Sequence, residues 1–225
     1  MKKHPTLSLF ARKSDALGWV LCLLIPALAF FFLQDADGLR LTSESFTAGA
    51  WYQLWTGHLL HFTYDHFLWD AVMFAFLALL LWREERWCLW AWLLLVAPLL
   101  SILLFYLDPA LTEYRGLSAL DSMLYARVCC GLCRIGDRWQ RMFFAWLPLL
   151  GFLGKVFFEL LSGTTLFVSD LGVGVVPLPL AHLLGFLAGC LWALSSWWMK
   201  CSFGAYRRAL LLWNRALGGS RFGCV

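Results

Sequence analysis

Long apolar segments dominate this chain of 225 residues and limit what it can fold into. Five segments are apolar over the length that an α-helix needs to cross a bilayer, roughly 20 residues. A sixth, residues 116–132, is also apolar but carries Ser118, Asp121, Ser122 and Arg127. Because polar groups in a membrane span normally face other helices, we expect this segment at the centre of a bundle. The predicted spans are residues 17–33, 59–82, 87–107, 116–132, 142–161 and 178–199.

The composition excludes a soluble globular domain. Hydrophobic residues make up 61% of the chain and charged residues only 14%, whereas an average soluble domain is about 25% charged. The net charge of +4 is explained by basic residues that flank membrane spans, so it gives no support for a nucleic-acid partner.

The basic residues also predict the topology. With six spans and a cytoplasmic N-terminus, fourteen of the eighteen lysines and arginines lie on cytoplasmic segments, as the positive-inside rule requires. We therefore expect an all-α integral membrane protein, a bundle of six transmembrane helices with both termini in the cytoplasm. Its parts would be a cytoplasmic segment (1–16), a six-span core (17–200) and a basic cytoplasmic tail (201–225).

Three of the predicted spans begin with polar or small residues at their outer ends. Ionisable side chains inside a membrane are costly and often mark a functional site. In the predicted topology the three groups lie at similar depth. They are His58, His61, His66 and Asp70 in the second span, Gly116 and Ser118 in the fourth, and His182, Gly185 and Gly189 in the sixth.

This set of residues is able to form a serine hydrolase. Ser118 needs a base to become nucleophilic at neutral pH, and His182 is a suitable base. Gly185 and Gly189 share a helix face with His182 and allow a neighbouring helix to approach closely. The backbone N–H of Ser118 lies near a helix N-terminus, which favours negative charge, and His66 is a further donor for a developing oxyanion.

The same motifs resemble those of the rhomboid intramembrane proteases. Rhomboids carry Gly-x-Ser on the fourth span, Ala-His-x-x-Gly-x-x-x-Gly on the sixth and His-x4-His-x3-Asn on the second. The matching stretches are residues 116–118, 181–189 and 61–70. The resemblance covers about residues 17–200 and implies that Ser118 is the nucleophile and His182 the general base.

The resemblance further implies an oxyanion site without a metal or any other cofactor. The backbone N–H of Ser118 and the His66 side chain would hold the oxyanion, and His61 would support this region. The full supporting set is His66, His61, Asp70, Leu117 and Gly116.

Two residues depart from the rhomboid pattern. Asp70 stands where the family has asparagine, and Ala119 stands where a glycine follows the serine. An ionised carboxylate would repel an oxyanion, so Asp70 is expected to be protonated, paired with His66, or turned away.

Within the rhomboids the chain looks most like the rhombosortase branch, at residues 55–61 and 114–118. Rhombosortases are associated with membrane-anchored substrates that end in a Gly-Gly tail, a hydrophobic span and basic residues, and are thought to remove that tail. The implied partners are such substrates and the lipid bilayer. The implied location is a bacterial inner membrane, with the active site toward the periplasmic or outer side.

Two other functions are compatible with the sequence. A catalytically inactive rhomboid relative would bind transmembrane helices without cutting them, which Asp70 and Ala119 favour. A haem- or metal-binding membrane subunit would use the histidines of the second span. Against it, His58 and His61 share a helix face, whereas His66 points about 140° away on an ideal helix.

Some polar residues receive simpler interpretations. Lys155 and Glu159, four residues apart in the fifth span, are expected to form a structural ion pair near the cytoplasmic side or mid-membrane. His58 is expected on the rim of the site, where water enters. Cys130 and Cys133 lack a second ligand pair, so no zinc site is predicted.

Overall fold

The computed structural model describes residues 13–34, 36–172 and 174–216, and this part of the chain is mostly helical. Residues 1–12 of the predicted cytoplasmic segment and residues 217–225 of the predicted tail lie outside it. The α-helices are α1 (Lys13–Leu28), α2 (Ser43–Thr47), α3 (Gln53–Thr56), α4 (Tyr64–Leu107), α5 (Ser118–Leu132), α6 (Arg138–Arg141), α7 (Leu147–Ser162) and α8 (Pro179–Ala216).

Short elements connect or extend these helices. Wider π-helical turns continue α1 (Ala29–Leu33) and join α6 to α7 (Met142–Trp146). Two 3-10 turns (Asp37–Leu39 and Gly57–Leu59) lie between α1 and α4. Strands β1 (Leu41–Thr42) and β2 (Glu113–Tyr114) pair antiparallel, with Leu41 opposite Tyr114 and Thr42 opposite Glu113.

Four helical stretches of the described residues are long and apolar enough to cross a membrane. They are Tyr64–Trp82, Glu85–Leu107, Arg138–Ser162 and Pro179–Trp198. Two further helical stretches are shorter: Val20–Leu33, and α5 with 15 residues. The prediction of an all-α membrane protein is confirmed, whereas the count of six spans and the orientation of the termini stay predictions.

The long helix α4 comprises two spans joined at Glu85. The backbone of Glu85 leaves the helical region (φ −140°, ψ 39°), within the charged stretch 83–86. Charged side chains are costly in hydrocarbon, so the chain turns here and the two apolar halves remain in the membrane. The Glu85 carboxylate accepts a hydrogen bond from the guanidinium of Arg127 on α5. This ion pair joins the α4 turn to the central helix.

Helix α5 lies against both α4 and α8. Most of its side chains are buried, including Asp121, Ser122 and Arg127, which a helix facing lipid would not bury. Its backbone nearly touches α8, because a Cβ atom at Gly185 would lie 1.9 Å from the Ala119 carbonyl oxygen and one at Gly189 would lie 2.1 Å from that of Met123. Only glycine fits at these two positions.

The segment between α1 and α4 packs on the chain just before α5. Gly57 and Gly116 are joined by a backbone hydrogen bond of 3.2 Å, and a Cβ atom at Gly57 would lie 2.7 Å from the Leu41 Cβ. Trp51 and Tyr52 on the same segment are exposed, which suits an interfacial segment.

A proline in the third predicted span provides a second anchor for this segment. Pro98 has no N–H, so the carbonyl oxygen of Leu94, one turn earlier, loses its helical donor. The indole N–H of Trp55 donates to that oxygen at 2.8 Å. The free acceptor in α4 therefore holds α3 in place.

The predicted start of the second span, residue 59, is five residues too early. The helix begins at Tyr64, after Thr63, whose hydroxyl caps it by accepting from the backbone N–H of His66 at 3.2 Å. His58 and His61 thus precede the helix, where Leu60 is extended. The Thr63 cap makes the helix begin later in the chain than hydropathy suggested.

Replacing Gly189 by alanine should lower the unfolding temperature of the protein in detergent, because the added methyl group meets the Met123 carbonyl. Gly154 on α7 is the control, since a Cβ atom there would meet nothing within 4 Å. Gly154→Ala should leave the unfolding temperature unchanged or raise it, because alanine favours a helix by roughly 1 kcal/mol over glycine. Equal effects of the two substitutions would contradict the close packing of α5 on α8.

Candidate active site

A cavity of about 920 Å³ lies among α4, α5, α7 and α8 and is bounded by the connections before α5 and α8. It contains both residues predicted to carry the chemistry, Ser118 and His182. Most of its wall is apolar. Its polar lining includes His66, Asp70, Ser118, Asp121, Ser122, Lys155, Glu159 and His182.

Ser118 is the first residue of α5, and the two residues before it shape its position. Gly116 has φ +125°, which side chains with a Cβ atom rarely adopt, and a Cβ there would also lie 2.9 Å from His66 Nε2. Leu117 is buried and offers no side-chain cap. The first N–H groups of α5 therefore lack a side-chain partner from the capping position, and the helix end favours negative charge.

His182 lies in the first turn of α8 and has a polar neighbour at each ring nitrogen. Its Nδ1 is 3.1 Å from the Ser122 hydroxyl, and its Nε2 is 2.9 Å from Lys155 Nζ. Among the described residues the Ser118 hydroxyl makes no hydrogen bond with either nitrogen. The structure thus brings Ser118 and His182 to one cavity, but it joins His182 to Ser122 and Lys155.

Lys155 and Glu159 form the predicted ion pair, with 2.8 Å between Nζ and Oε2. The pair was expected near the cytoplasmic side or mid-membrane, whereas it lines the cavity beside His182. The same Glu159 oxygen is 3.4 Å from His182 Nε2, and Glu159 also accepts from the backbone N–H of Leu166 at 3.3 Å. The four-residue spacing predicted the pair, but it carried no information on which helix the pair would face.

Asp70 is held between two histidines. Its Oδ2 lies 3.3 Å from His66 Nε2 and 3.4 Å from His61 Nε2. Pairing with His66 was one of the three states expected, and pairing with His61 was not expected. Burial lowers the pKa of His61, and the nearby Asp70 opposes that effect. The three side chains form a compact polar cluster beside Gly116.

His58 is buried and does not line the cavity, so its predicted place on the site rim is wrong. Its Nε2 is 2.9 Å from the Ala97 carbonyl oxygen and 3.0 Å from the Ser101 hydroxyl. Its Nδ1 is 3.4 Å from the Tyr114 hydroxyl, which donates to the Gly116 carbonyl at 3.0 Å. Burial lowers the pKa of His58 to about 4, so the ring is neutral at pH 7.

A second set of polar contacts joins the start of α4 to the connection between α7 and α8. Asp65 at the start of α4 accepts from the backbone N–H of Ser169 at 2.7 Å, from its hydroxyl at 2.9 Å and from the N–H of Asp170 at 3.2 Å. Thr63 donates to the Asp170 carbonyl at 2.6 Å. The connection between α7 and α8 is thereby fastened to α4.

The sequence interpretation missed two polar residues of the cavity wall, Asp121 and Ser122. Asp121 is buried, and its Oδ1 has no hydrogen-bond partner among the described residues. Both were named only as polar residues of the fourth predicted span, which were expected to face other helices. An acidic residue inside a predicted span is itself a signal of function, and it pointed to Asp121. No signal identified Ser122 as the partner of His182.

The described residues contain no group of three histidine, cysteine or acidic side chains arranged to hold a metal ion. A comparison with models of known protein families gives no match, and a search among curated proteins gives no match either. The rhomboid assignment therefore rests on the motifs and stays a prediction.

Replacing Lys155 by methionine should lower the unfolding temperature, because it leaves the buried Glu159 carboxylate beside His182 without its cation. Breaking a buried ion pair in this way typically costs about 3–5 kcal/mol, whereas replacing both partners by apolar groups is often neutral. The double variant Lys155→Met, Glu159→Leu should therefore unfold at a higher temperature than the single variant. A single variant as stable as the wild type in detergent would contradict this description of the pair.

Proposed function

We propose that this protein is an intramembrane serine protease of the rhomboid type, with Ser118 as nucleophile and His182 as general base. One observation carries the proposal. Ser118 at the start of α5 and His182 at the start of α8 line the same cavity, and two glycine contacts hold these helices together. A serine and a histidine on separate helices are brought together only by such close packing.

The proposal includes a six-span core with both termini in the cytoplasm. Two of the six helices, Val20–Leu33 and α5, are shorter than a usual span. Burial of α5 among its neighbours supports its place inside the bundle, because an enclosed helix does not have to match the hydrocarbon thickness. The distribution of lysine and arginine supports the orientation.

In the proposed reaction the Ser118 hydroxyl attacks the carbonyl carbon of a peptide bond. Its proton passes to His182 Nε2, the new C–O bond forms, and the carbonyl π electrons move to the oxygen. For this step Nε2 must exchange its contact with Lys155 for one with Ser118. Glu159 Oε2 lies 2.8 Å from Lys155 Nζ, so the ammonium group still has an ion-pair partner after it leaves Nε2.

The oxyanion would form at the N-terminal end of α5. The Ser118 N–H is the main donor, since the helix end carries unpaired N–H groups and a positive partial charge. His66 supports it from the Gly116 side, where only a glycine leaves room. Asp70 contacts both His66 and His61, so these two rings are the nearest partners of its carboxylate.

Breakdown of the intermediate releases the amine and then the acid. The C–N bond breaks as the oxyanion electrons reform the carbonyl, and the leaving nitrogen takes the proton from His182. Water then gives a proton to His182 and attacks the acyl carbon. When the bond to Ser118 breaks, that proton returns to the serine oxygen.

The proposed substrates are membrane-anchored proteins with a transmembrane helix, in particular proteins with a C-terminal Gly-Gly tail. The motif resemblance to rhombosortases supports this substrate class. A largely apolar cavity wall that also carries polar groups suits a substrate segment that leaves the membrane. The proposed location is a bacterial inner membrane, with the site on the outer side.

A second candidate is an inactive relative that binds transmembrane helices without cleaving them. The contacts of His182 with Ser122 and Lys155, rather than with Ser118, favour this candidate. An inactive relative would retain the cavity and the α5–α8 contact but would never exchange these partners.

Cleavage of a tagged membrane substrate, a Gly-Gly tail followed by one span and basic residues, tests the proposal. The wild type should cleave it, and Ser118→Ala and His182→Ala should each reduce cleavage by at least about a thousandfold. Ser195→Ala is the control, because the Ser195 hydroxyl donates only to its own helix at the Trp192 carbonyl. Proteins are compared at equal abundance in membranes.

Equal cleavage by wild type and Ser118→Ala would contradict Ser118 as nucleophile. Binding of the substrate span without cleavage by any variant would favour the inactive relative.

A further inference from the structure

On α5, the side chain of Ser122 is in direct contact with the proposed base, His182. It lies one helical turn after Ser118, is buried, and its Oγ is 3.1 Å from His182 Nδ1. The same Oγ is 2.7 Å from the carbonyl oxygen of Ser118. One hydroxyl therefore connects the backbone of the proposed nucleophile to the ring of the proposed base.

The two contacts of Ser122 determine which way the hydrogen bonds run. A carbonyl oxygen only accepts, so the Ser122 hydroxyl donates its single proton to Ser118. Its oxygen must then accept from His182, which places the ring proton on Nδ1. In a neutral imidazole the other nitrogen, Nε2, then carries a lone pair, as a general base requires.

The neighbour at Nε2 agrees with this assignment independently. Lys155 Nζ lies 2.9 Å from Nε2, and an ammonium group has donors but no acceptor. Nε2 must therefore accept, so it carries no proton. Glu159, which lies 3.4 Å from Nε2, is an acceptor and finds its donor in Lys155 instead.

We propose that Ser122 is a positioning residue that acts as the third member of a Ser118–His182–Ser122 arrangement. Its hydroxyl orients the His182 ring and keeps Nε2 as the basic nitrogen. This inference rests on the proposed function and assigns Ser122 no contact with the substrate. Serine proteases commonly use a carboxylate for the corresponding role, whereas here a hydroxyl fixed to the nucleophile's own helix performs it.

The position of Ser122 between α5 and α8 explains why its contact with the His182 ring is direct. A Cβ atom at Gly185 would lie 3.0 Å from the Ser122 Cβ, so α8 passes directly over this residue. Close backbone packing leaves the His182 ring and the Ser122 hydroxyl in contact without an intervening side chain. The contact thus depends on the same helix pair that brings Ser118 and His182 to one cavity.

The test is the rate at which a fluorophosphonate probe labels the full-length protein in detergent. The labelled residue is identified by mass spectrometry, and labelling is followed over a range of probe concentrations. Ser122→Ala should lower the maximal labelling rate about tenfold to a hundredfold, the effect of losing one orienting hydrogen bond. The probe concentration that gives half the maximal rate should stay unchanged, because the cavity wall is otherwise intact.

Two further variants separate orientation from packing. Ser122→Thr keeps the hydroxyl, and threonine in a helix can bond to the carbonyl one turn earlier, so it should restore the rate to within about threefold of the wild type. If Ser122→Thr lowers the unfolding temperature of the protein, Ser122→Cys is used in its place, because cysteine has nearly the same shape as serine. Ser195→Ala should label like the wild type.

Three results would overturn the inference. Labelling of Ser118 at an unchanged rate in Ser122→Ala would remove the role of Ser122 and leave the proposed function standing. A labelled Ser122 would make it the nucleophile instead. No labelling of the wild type would contradict the proposed function itself, and the positioning role with it.

Discussion

The contact between α5 and α8 determines where both proposed catalytic side chains lie. Gly185 and Gly189 leave no room for a Cβ atom against the carbonyl groups of Ala119 and Met123. In a membrane, helix association depends on such packing, because lipid offers no hydrophobic driving force between apolar helices. His182 precedes these glycines on the same face, so the packing that joins the helices also directs its ring toward Ser122.

The charged groups of the cavity have polar or charged partners close by. Asp70 is shared by two histidines, and Glu159 holds Lys155 against the His182 ring. Each group would be costly to bury alone. Asp121 differs, because among the described residues it forms no ion pair. The polar lining of the cavity thus includes one group of contacts around Asp70 and another around His182.

Hydropathy and helix periodicity predicted the apolar helices, the turn near Glu85 and the glycine face of α8. They could not predict contacts that depend on how helices are arranged in space. The early start assigned to the second span followed from apolar residues before Tyr64, whereas the Thr63 cap decides where the helix begins. His58 was expected on the site rim, because the sequence could not show that it pairs with the carbonyl of Ala97, 39 residues away. The pairing of Ser122 with His182 likewise joins residues of two different helices.

Oxidative cross-linking of two native cysteines tests the α5–α8 register most directly. Cys130 on α5 and Cys190 on α8 have their sulfur atoms 3.9 Å apart. In a variant with the other cysteines replaced by alanine, mild oxidation of membranes should join these two residues within one chain, as mass spectrometry of the peptides would show. Failure to form this bond, while both thiols still react with a small alkylating reagent, would contradict the register and therefore the site built on it.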